Sequence, residues 1–160
     1  MAGLHSTDET GVSLRHIDAG GDVRNAILGL RVRPAQDAFV APVASYLVMC
    51  DDPESPWRPL AVEHDGAVVG FVMTAVDPTD NSLCIGGLII DVRHQGRGTG
   101  AAAVRMLVEG ARTAGHDLVA LAYAPENAVA RAIYARLGFV ETGEMDGHEV
   151  IAQIDLRQSN

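Results

Sequence analysis

The chain has 160 residues, a formal net charge of −9 and 48% hydrophobic residues. This size and apolar content are typical of one soluble domain with a real core. All twelve of its cationic side chains are arginine. So acidic a surface disfavours nucleic acid as a general partner and favours a cationic ligand, although acidity also serves solubility alone.

No apolar run approaches the roughly twenty residues that cross a bilayer, and the N-terminus lacks the pattern of a secretory signal. The two cysteines, Cys50 and Cys84, lie in apolar surroundings and have no metal-ligand or disulfide spacing. We therefore expect one cytoplasmic domain over residues 1–160, without a membrane partner, and with flexible ends at 1–11 and 157–160.

The first elements are short helices. Apolar residues recur at helical spacing over residues 22–30, where Asp22 is placed to cap the first turn. A second helix is predicted over residues 43–50, followed by a proline-rich loop over 51–56.

An antiparallel pair of strands follows at residues 59–64 and 67–75. The dipeptide Asp65-Gly66 joins them, and its tolerance of positive φ is typical of a tight hairpin. Residues 83–91 form a nearly continuous apolar run, which predicts a central strand covered on both faces.

The remaining segments alternate in type. They are a helix over 98–114, a strand over 117–124, a helix over 127–137, and strands over 139–142 and 149–156. This order predicts an α+β fold with a mixed, mostly antiparallel central sheet flanked by helices. A ligand site is expected near the carboxyl end of the central strand.

A glycine-rich turn links the central strand to the long helix. Gly96, Gly98 and Gly100 leave room for an anion beside the helix N-terminus, whose first amides lack partners within the helix. Such a turn also occurs merely to make a sharp corner. The turn has no lysine of a phosphate-binding P-loop, and its glycine spacing differs from the dinucleotide fingerprint.

Two motifs give the chain a family resemblance. Gln95, Gly98 and Gly100 match the pattern Gln/Arg-x-x-Gly-x-Gly/Ala. The segment 127–139, with its asparagine, its tyrosine and its Leu-Gly-Phe ending, matches a second block. In this order, the motifs resemble those of the GNAT superfamily of N-acetyltransferases.

A weaker resemblance links residues 30–46 to bacterial diamine and polyamine (spermine/spermidine) acetyltransferases. Leu30-Arg31-Val32, Gln36, Phe39-Val40-Ala41 and Tyr46 carry it. The central strand departs from that subgroup, because residues 83–87 hold neither its tryptophan nor its arginine.

The superfamily resemblance implies acetyl-CoA as cosubstrate and no metal. It assigns coenzyme A to the backbone near the central strand's end, to the glycine turn and to the following helix. The residues implied are Ile89, Ile90, Asp91, Val92, Gln95, Gly96, Arg97, Gly98, Thr99, Gly100, Asn127, Ala130 and Tyr134.

The resemblance also implies that Tyr134 is the general acid for the departing thiolate. A free phenol has a pKa of about 10 and a thiol about 8.5, so positioning matters more than acidity. On apolar spacing alone, Tyr134 would instead be a core residue. The general base stays open between a bound water, Glu63 and Asp91.

The resulting hypothesis is an acetyltransferase acting on a small cationic amine, a polyamine or diamine, by direct attack. Asp37, Glu54 and Glu63 are candidate contacts for that substrate. Inactivation of an amine-containing antibiotic and non-catalytic sensing of acyl-CoA are the alternatives. A homodimer is possible through the terminal strands, and the scattered histidines suggest no metal site.

Overall fold

The computed structural model describes residues 10–17, 21–33 and 42–158. These residues form a seven-stranded sheet with helices on both faces. The helices are α1 Asp22–Leu28, α2 Val43–Asp51, α3 Thr99–Ala114 and α4 Ala128–Arg136, with 3-10 turns at Val92–His94 and Leu156–Gln158. The strands are β1 Val12–His16, β2 Arg58–His64, β3 Ala67–Asp77, β4 Ser82–Ile90, β5 Leu118–Tyr123, β6 Val140–Asp146 and β7 Glu149–Asp155.

The strand order is β1-β2-β3-β4-β5-β7-β6, so β4 lies at the centre as predicted. Only the β4–β5 pair is parallel among the described strands, and the other neighbours run antiparallel. The predicted α+β fold with a mostly antiparallel sheet is confirmed.

One local prediction was wrong, and one strand was missed. The first helix is capped by Gly21 without a side-chain hydrogen bond, so Asp22 lies in the first turn. A 3-10 turn at Leu156–Gln158 follows β7, and Arg157 pairs with Asp155 at 2.8 Å, while the flexibility of 1–11 and 157–160 stays a prediction. The missed strand, β1, covers the edge of β2 and buries Val12 and Leu14.

The turn chemistry predicted from the sequence is confirmed at two places. Asp65 and Gly66 both have positive φ, 50° and 86°, as the tight β2–β3 hairpin requires. Gly115 ends α3 in the left-handed conformation, with its amide bonded to carbonyls of the last turn. Both signals are local, because they depend on backbone conformations that few residue types adopt.

The central strand parts from its parallel neighbour halfway along. β4 pairs with β5 only from Ser82 to Ile85, opposite Leu118 to Leu121. Beyond that point β5 continues to pair with β7, while in β4 Gly86, Ile89 and Ile90 pair with β3 and have no partner in β5. A wedge therefore opens between the carboxyl ends of β4 and β5.

A β-bulge in β4 coincides with the start of this wedge. The register with β3 changes from Met73 opposite Gly86 to Phe71 opposite Ile89, so β4 holds one extra residue. Gly87 takes that place with a φ of 62°, a conformation that favours glycine. The bulge bends β4 away from β5.

The sheet separates two apolar cores. On one face, α3 packs onto the sheet through residues such as Val104 and Leu107. On the other face, α1 and α2 pack onto it through Ile27 and Leu47, which meet Phe71 of β3. Burial of both faces explains why β3 is nearly continuously apolar.

Asp91 ties the end of β4 to the segment after α1. It is 2% exposed, and its carboxylate accepts hydrogen bonds from the Arg93 backbone N–H at 3.0 Å, Arg93 Nε at 2.8 Å and the Arg31 backbone N–H at 3.3 Å. The Val92 N–H in turn donates to the Arg31 carbonyl at 2.7 Å. These bonds hold the turn that leads into α3.

We expect Asp91→Asn to lower the free energy of unfolding by about 1 to 2 kcal/mol, because hydrogen bonds to a charged acceptor are lost. The Arg93 side chain holds the pKa of the Asp91 carboxyl below its usual range. A depressed native pKa stabilises the fold above the unfolded pKa of about 3.9 and loses that contribution as the pH falls through the native value.

Urea denaturation of both proteins between pH 3 and pH 8 measures this effect. The difference in the free energy of unfolding between the wild type and Asp91→Asn should be constant near neutral pH and should become smaller in the acid range. A difference that stays unchanged down to pH 3 would show that the Asp91 charge contributes nothing.

Candidate active site

The glycine turn presents an open surface beside the N-terminus of α3. Gly96 and Gly98 both have a φ of 77°, and a Cβ atom added at either would have no neighbour within 4 Å. At Gly100 the added Cβ would contact Ile90 Cγ1 at 3.5 Å, so that residue packs on β4. The open space thus lies along Gly96 and Gly98.

The first amides of α3 point into this space. Gly98 caps the helix in the left-handed conformation without a side-chain hydrogen bond, and its carbonyl accepts the first helical bond from Ala102 at 2.9 Å. The amides of residues 99–101 therefore have no partner within the helix. Together with the dipole of a sixteen-residue helix, they favour an anion such as a phosphate.

Gln95 braces the end of the central strand. Its Nε2 donates to the Ile90 carbonyl at 2.8 Å. The Asp91 amide N–H donates to the Val69 carbonyl of β3. Successive residues of a strand direct their backbone groups to opposite sides, so those of Ile90 face the wedge. The amides of Asp91 and Val92 already donate hydrogen bonds to the Val69 and Arg31 carbonyls. Ile90 is thus left as the predicted backbone contact for coenzyme A that faces the wedge.

Tyr134 lies on α4, in the core on the α3 side of the sheet. Its ring packs against Tyr123 with centroids 5.6 Å apart and against the edge of Phe139 at 5.8 Å. Its hydroxyl has no hydrogen-bond partner among the described residues, yet Tyr134 is partly exposed. The ring is thus a core element, as apolar spacing alone predicted, and the role of the hydroxyl as general acid stays a prediction.

Burial of Tyr134 raises the pKa of its phenol to about 12, and the neighbouring Tyr123 adds to this shift. The phenol is therefore neutral at physiological pH and carries a proton to donate. Transfer to a thiolate is uphill by this measure, so Tyr134 can act only where it lies in direct contact with the sulfur.

A hydrogen-bond network that sequence reasoning missed holds α4 in place. The Tyr123 hydroxyl donates to Glu141 Oε1 at 2.7 Å, and Arg131 Nε donates to the same oxygen at 2.7 Å. Burial, followed by the bond to Glu141, raises the pKa of Tyr123. These contacts join β5, α4 and β6 around the ring of Tyr134.

Asn127 acts as the N-cap of α4. Its side-chain oxygen accepts from the Ala130 amide at 3.2 Å. Both residues lie in the segment that begins α4 after β5, and both are partly exposed. Their contact with coenzyme A stays a prediction.

Of the three acidic residues predicted for the substrate, the two that the structure describes, Glu54 and Glu63, lie on separate elements. Asp37 lies outside the described residues, and Glu54 is exposed in the turn after α2. Glu63 is 5% exposed and pairs with Arg15 at 2.8 Å on the far side of β2. Glu63 and Asp91 are thus both occupied in this conformation, and neither is free to act as the general base.

The two cysteines remain thiols. Burial raises the pKa of both Cys50 and Cys84, so neither is primed as a nucleophile. Within the described ranges, no three His, Cys, Asp or Glu side chains are grouped to hold a metal ion. None of the helices described is long and apolar enough to cross a membrane.

Several solved structures share this architecture. Spermidine N-acetyltransferase from Vibrio cholerae, solved with CoA and spermine, is similar with a TM-score of 0.71 and 19% identity, over 94% of this chain and 98% of that one. RimJ of Mycobacterium smegmatis, solved with CoA-disulfide, has a TM-score of 0.68 and 22% identity, over 92% and 83%. A putative acetyltransferase from T. thermophilus has a TM-score of 0.73 and 16% identity, over 96% and 90%.

These identities show a shared fold, and none of the curated proteins compared matches the sequence. The model of the acetyltransferase (GNAT) family matches residues 25–139, which is well over half of the chain and includes the glycine turn and Tyr134. The chain therefore belongs to the GNAT acetyltransferase family and is an N-acetyltransferase that uses acetyl-CoA.

Proposed function

We propose that this enzyme acetylates a primary amine of a small cationic molecule, a polyamine or diamine, by direct attack on acetyl-CoA. The observation that carries the proposal is the wedge between β4 and β5. The unpaired amides of α3 lie at one end of it, and Tyr134 lies on its β5 side. The proposal includes no covalent enzyme intermediate, because burial raises the pKa of both cysteine thiols and neither is an activated nucleophile.

The residues around the wedge fit coenzyme A. A diphosphate carries two negative charges, and the surface along Gly96 and Gly98 offers it unpaired amides and no obstructing side chain. Arg97 is exposed in the same turn and adds positive charge. Acetyl-CoA supplies the thioester that is cleaved in the reaction.

Two groups of the chain would act on the reacting atoms. The Ile90 amide, which faces the wedge, would donate to the oxyanion that forms as the amine attacks. The Tyr134 phenol would give its proton to the sulfur as the carbon–sulfur bond breaks, and would regain a proton from solvent.

A cationic acceptor is supported by charge and by likeness. The net charge of −9 raises the local concentration of a polycation at low ionic strength. A spermidine acetyltransferase shares the fold over nearly the whole chain. An antibiotic amine would meet the same charge, so a panel of amines must separate the two.

A homodimer through β6 is a further part of this proposal. β6 lies at the edge of the sheet, and all seven of its residues are exposed, including Val140 at 69% and Met145 at 52%. A bare strand edge of this kind can pair with a second copy. Sedimentation equilibrium showing only monomer at micromolar concentration would refute it.

Gly98→Ala should weaken coenzyme A binding about tenfold or more, because alanine disfavours the left-handed cap that aims the α3 amides. Gly115→Ala is the matched control. It has the same backbone conformation and open surroundings at the other end of α3, and should carry a similar folding cost without affecting binding.

Calorimetric titration with coenzyme A measures both variants. Equal weakening by the two would show that helix stability, and not the turn, controls binding. A folded wild-type protein that binds no coenzyme A would remove the proposed cofactor site altogether.

Tyr134→Phe should leave coenzyme A affinity unchanged and lower kcat by about 10²- to 10⁴-fold, because only the proton donor is lost. Thiol release from acetyl-CoA, assayed with polyamines, aminoglycosides, peptide antibiotics and amino acids, measures this loss. The native phenol should also titrate too high to create an alkaline limb below pH 10. Full turnover by the variant across the pH range would remove Tyr134 from the mechanism.

The same assay addresses the sensor alternative, which the occupied Glu63 and Asp91 carboxylates favour. A sensor would bind coenzyme A and release no thiol with any amine.

A further inference from the structure

The bulge in β4 places two successive glycines against aromatic rings. A Cβ atom added at Gly86 would lie 3.1 Å from Trp57 Cη2 and 3.2 Å from Met73 Cε. At Gly87 it would lie 3.3 Å from Tyr46 Cδ2 and from Phe71 Cε1. These four side chains, Tyr46, Trp57, Phe71 and Met73, are called the aromatic wall below.

The aromatic wall and Tyr134 lie on opposite faces of the sheet. The wall belongs to the core beneath α1 and α2, whereas Tyr134 packs on the core beneath α3. β4 separates them at the residues where it leaves β5. A thioester in the wedge is thus open to a proton donor on one face and to a nucleophile on the other.

The wall has a buried base and an accessible outer part. Phe71 and Met73 are 0% and 4% exposed, while Tyr46 and Trp57 are partly exposed. The glycine backbone beneath them is also partly exposed. A small molecule can therefore touch the two outer rings and the bulge together.

Among residues 10–17, 21–33 and 42–158, few ionisable groups lie near this surface. The titratable side chains beside it are Tyr46 and Cys50 on α2 and Cys84 on β4. The charged residues acting on the two thiols are Asp51, Arg58 and Arg24 around Cys50, and Asp77 and Asp80 around Cys84, all at solvent-accessible positions. Arg24 and Asp51 pair with one another at 2.6 Å. Among the described residues, no carboxylate lies in the wall itself.

We propose that the aromatic wall binds the acceptor beside its reacting nitrogen and keeps that nitrogen neutral by excluding water, in place of a general base. The inference rests on the proposed acetylation of a small amine. An alkylammonium has a pKa of about 10.4 in water, and apolar surroundings disfavour its charged form. A carboxylate at this place would have the opposite effect, because it would stabilise the ammonium ion.

The proton balance of the step is complete without a protein base. The ammonium loses one proton to water as it enters, and the neutral nitrogen then forms a bond to the carbonyl carbon. The carbon–sulfur bond breaks, and the thiolate takes the Tyr134 proton. The second nitrogen proton goes to water, and solvent restores the phenol, so one proton is released for each amide formed.

The test compares an apolar and a polar substitution at Trp57, a positioning residue in this proposal. Trp57→Phe keeps the wall apolar, whereas Trp57→Gln places an amide and its water in it. Val48→Gln is the control, since Val48 is on the same helix as Tyr46 but 69% exposed. The measurement is kcat at saturating amine between pH 6 and pH 10, because kcat reports the pKa of the bound amine, with the affinity for coenzyme A measured separately.

For the wild type, the acid limb of the profile should lie about one pH unit or more below the pKa of the free amine. Trp57→Gln should move the limb toward the solution value and lower kcat at pH 7.5 about tenfold, as one pH unit implies. Trp57→Phe and Val48→Gln should leave the limb in place, and all variants should bind coenzyme A normally.

A Trp57→Gln profile lowered by one factor at every pH would overturn the proposal, because a merely structural role predicts that result. Should thermal melting show this variant unfolded, Tyr46→Gln carries the same test. A wild type that binds coenzyme A but acetylates no amine refutes the proposed function itself. A wild type that is active but whose acid limb lies at the pKa of the free amine refutes only the role of the wall.

Discussion

The parting of β4 from β5 is the constraint on which the site depends. Parallel neighbours in a sheet normally stay hydrogen bonded along their shared length, and buried backbone groups without partners are costly. Here the pairing ends at Ile85, where a bulge with glycines at 86 and 87 bends β4. The strand thereby leaves one edge without a partner strand beyond Ile85 and keeps its other edge bonded to β3.

The elements beyond this point are arranged around the opening. Asp91 closes β4 and anchors the turn into α3, whose N-terminus then lies at the mouth of the wedge. Across the wedge, Tyr123 and Arg131 share Glu141 and fix α4, which carries Tyr134. Each side is thus held by a carboxylate that accepts bonds from two other residues and has a structural role.

Recognition through backbone amides would explain how an acidic protein can accommodate an anionic cosubstrate. The chain has no lysine and a net charge of −9. Backbone amides at the start of α3 offer positive partial charge without a cationic side chain, and their direction is set by the helix. If the acceptor is the cationic amine proposed above, the negative surface remains free to attract it, so the two substrates need not compete for one kind of charge.

The sequence alone determined the features that depend on local conformation. The Asp65-Gly66 hairpin, the left-handed Gly115, and the alternation of strands and helices follow from steric preferences and periodicity within a few residues. The glycine turn and the Tyr134 helix were identified for the same reason, since each motif is contiguous. Tertiary structure decided the rest. Arg31 meets Asp91 across sixty residues, Glu141 joins Tyr123 and Arg131, and Trp57 covers Gly86. No local pattern encodes these contacts, because each arises only when separate elements of the chain pack against one another.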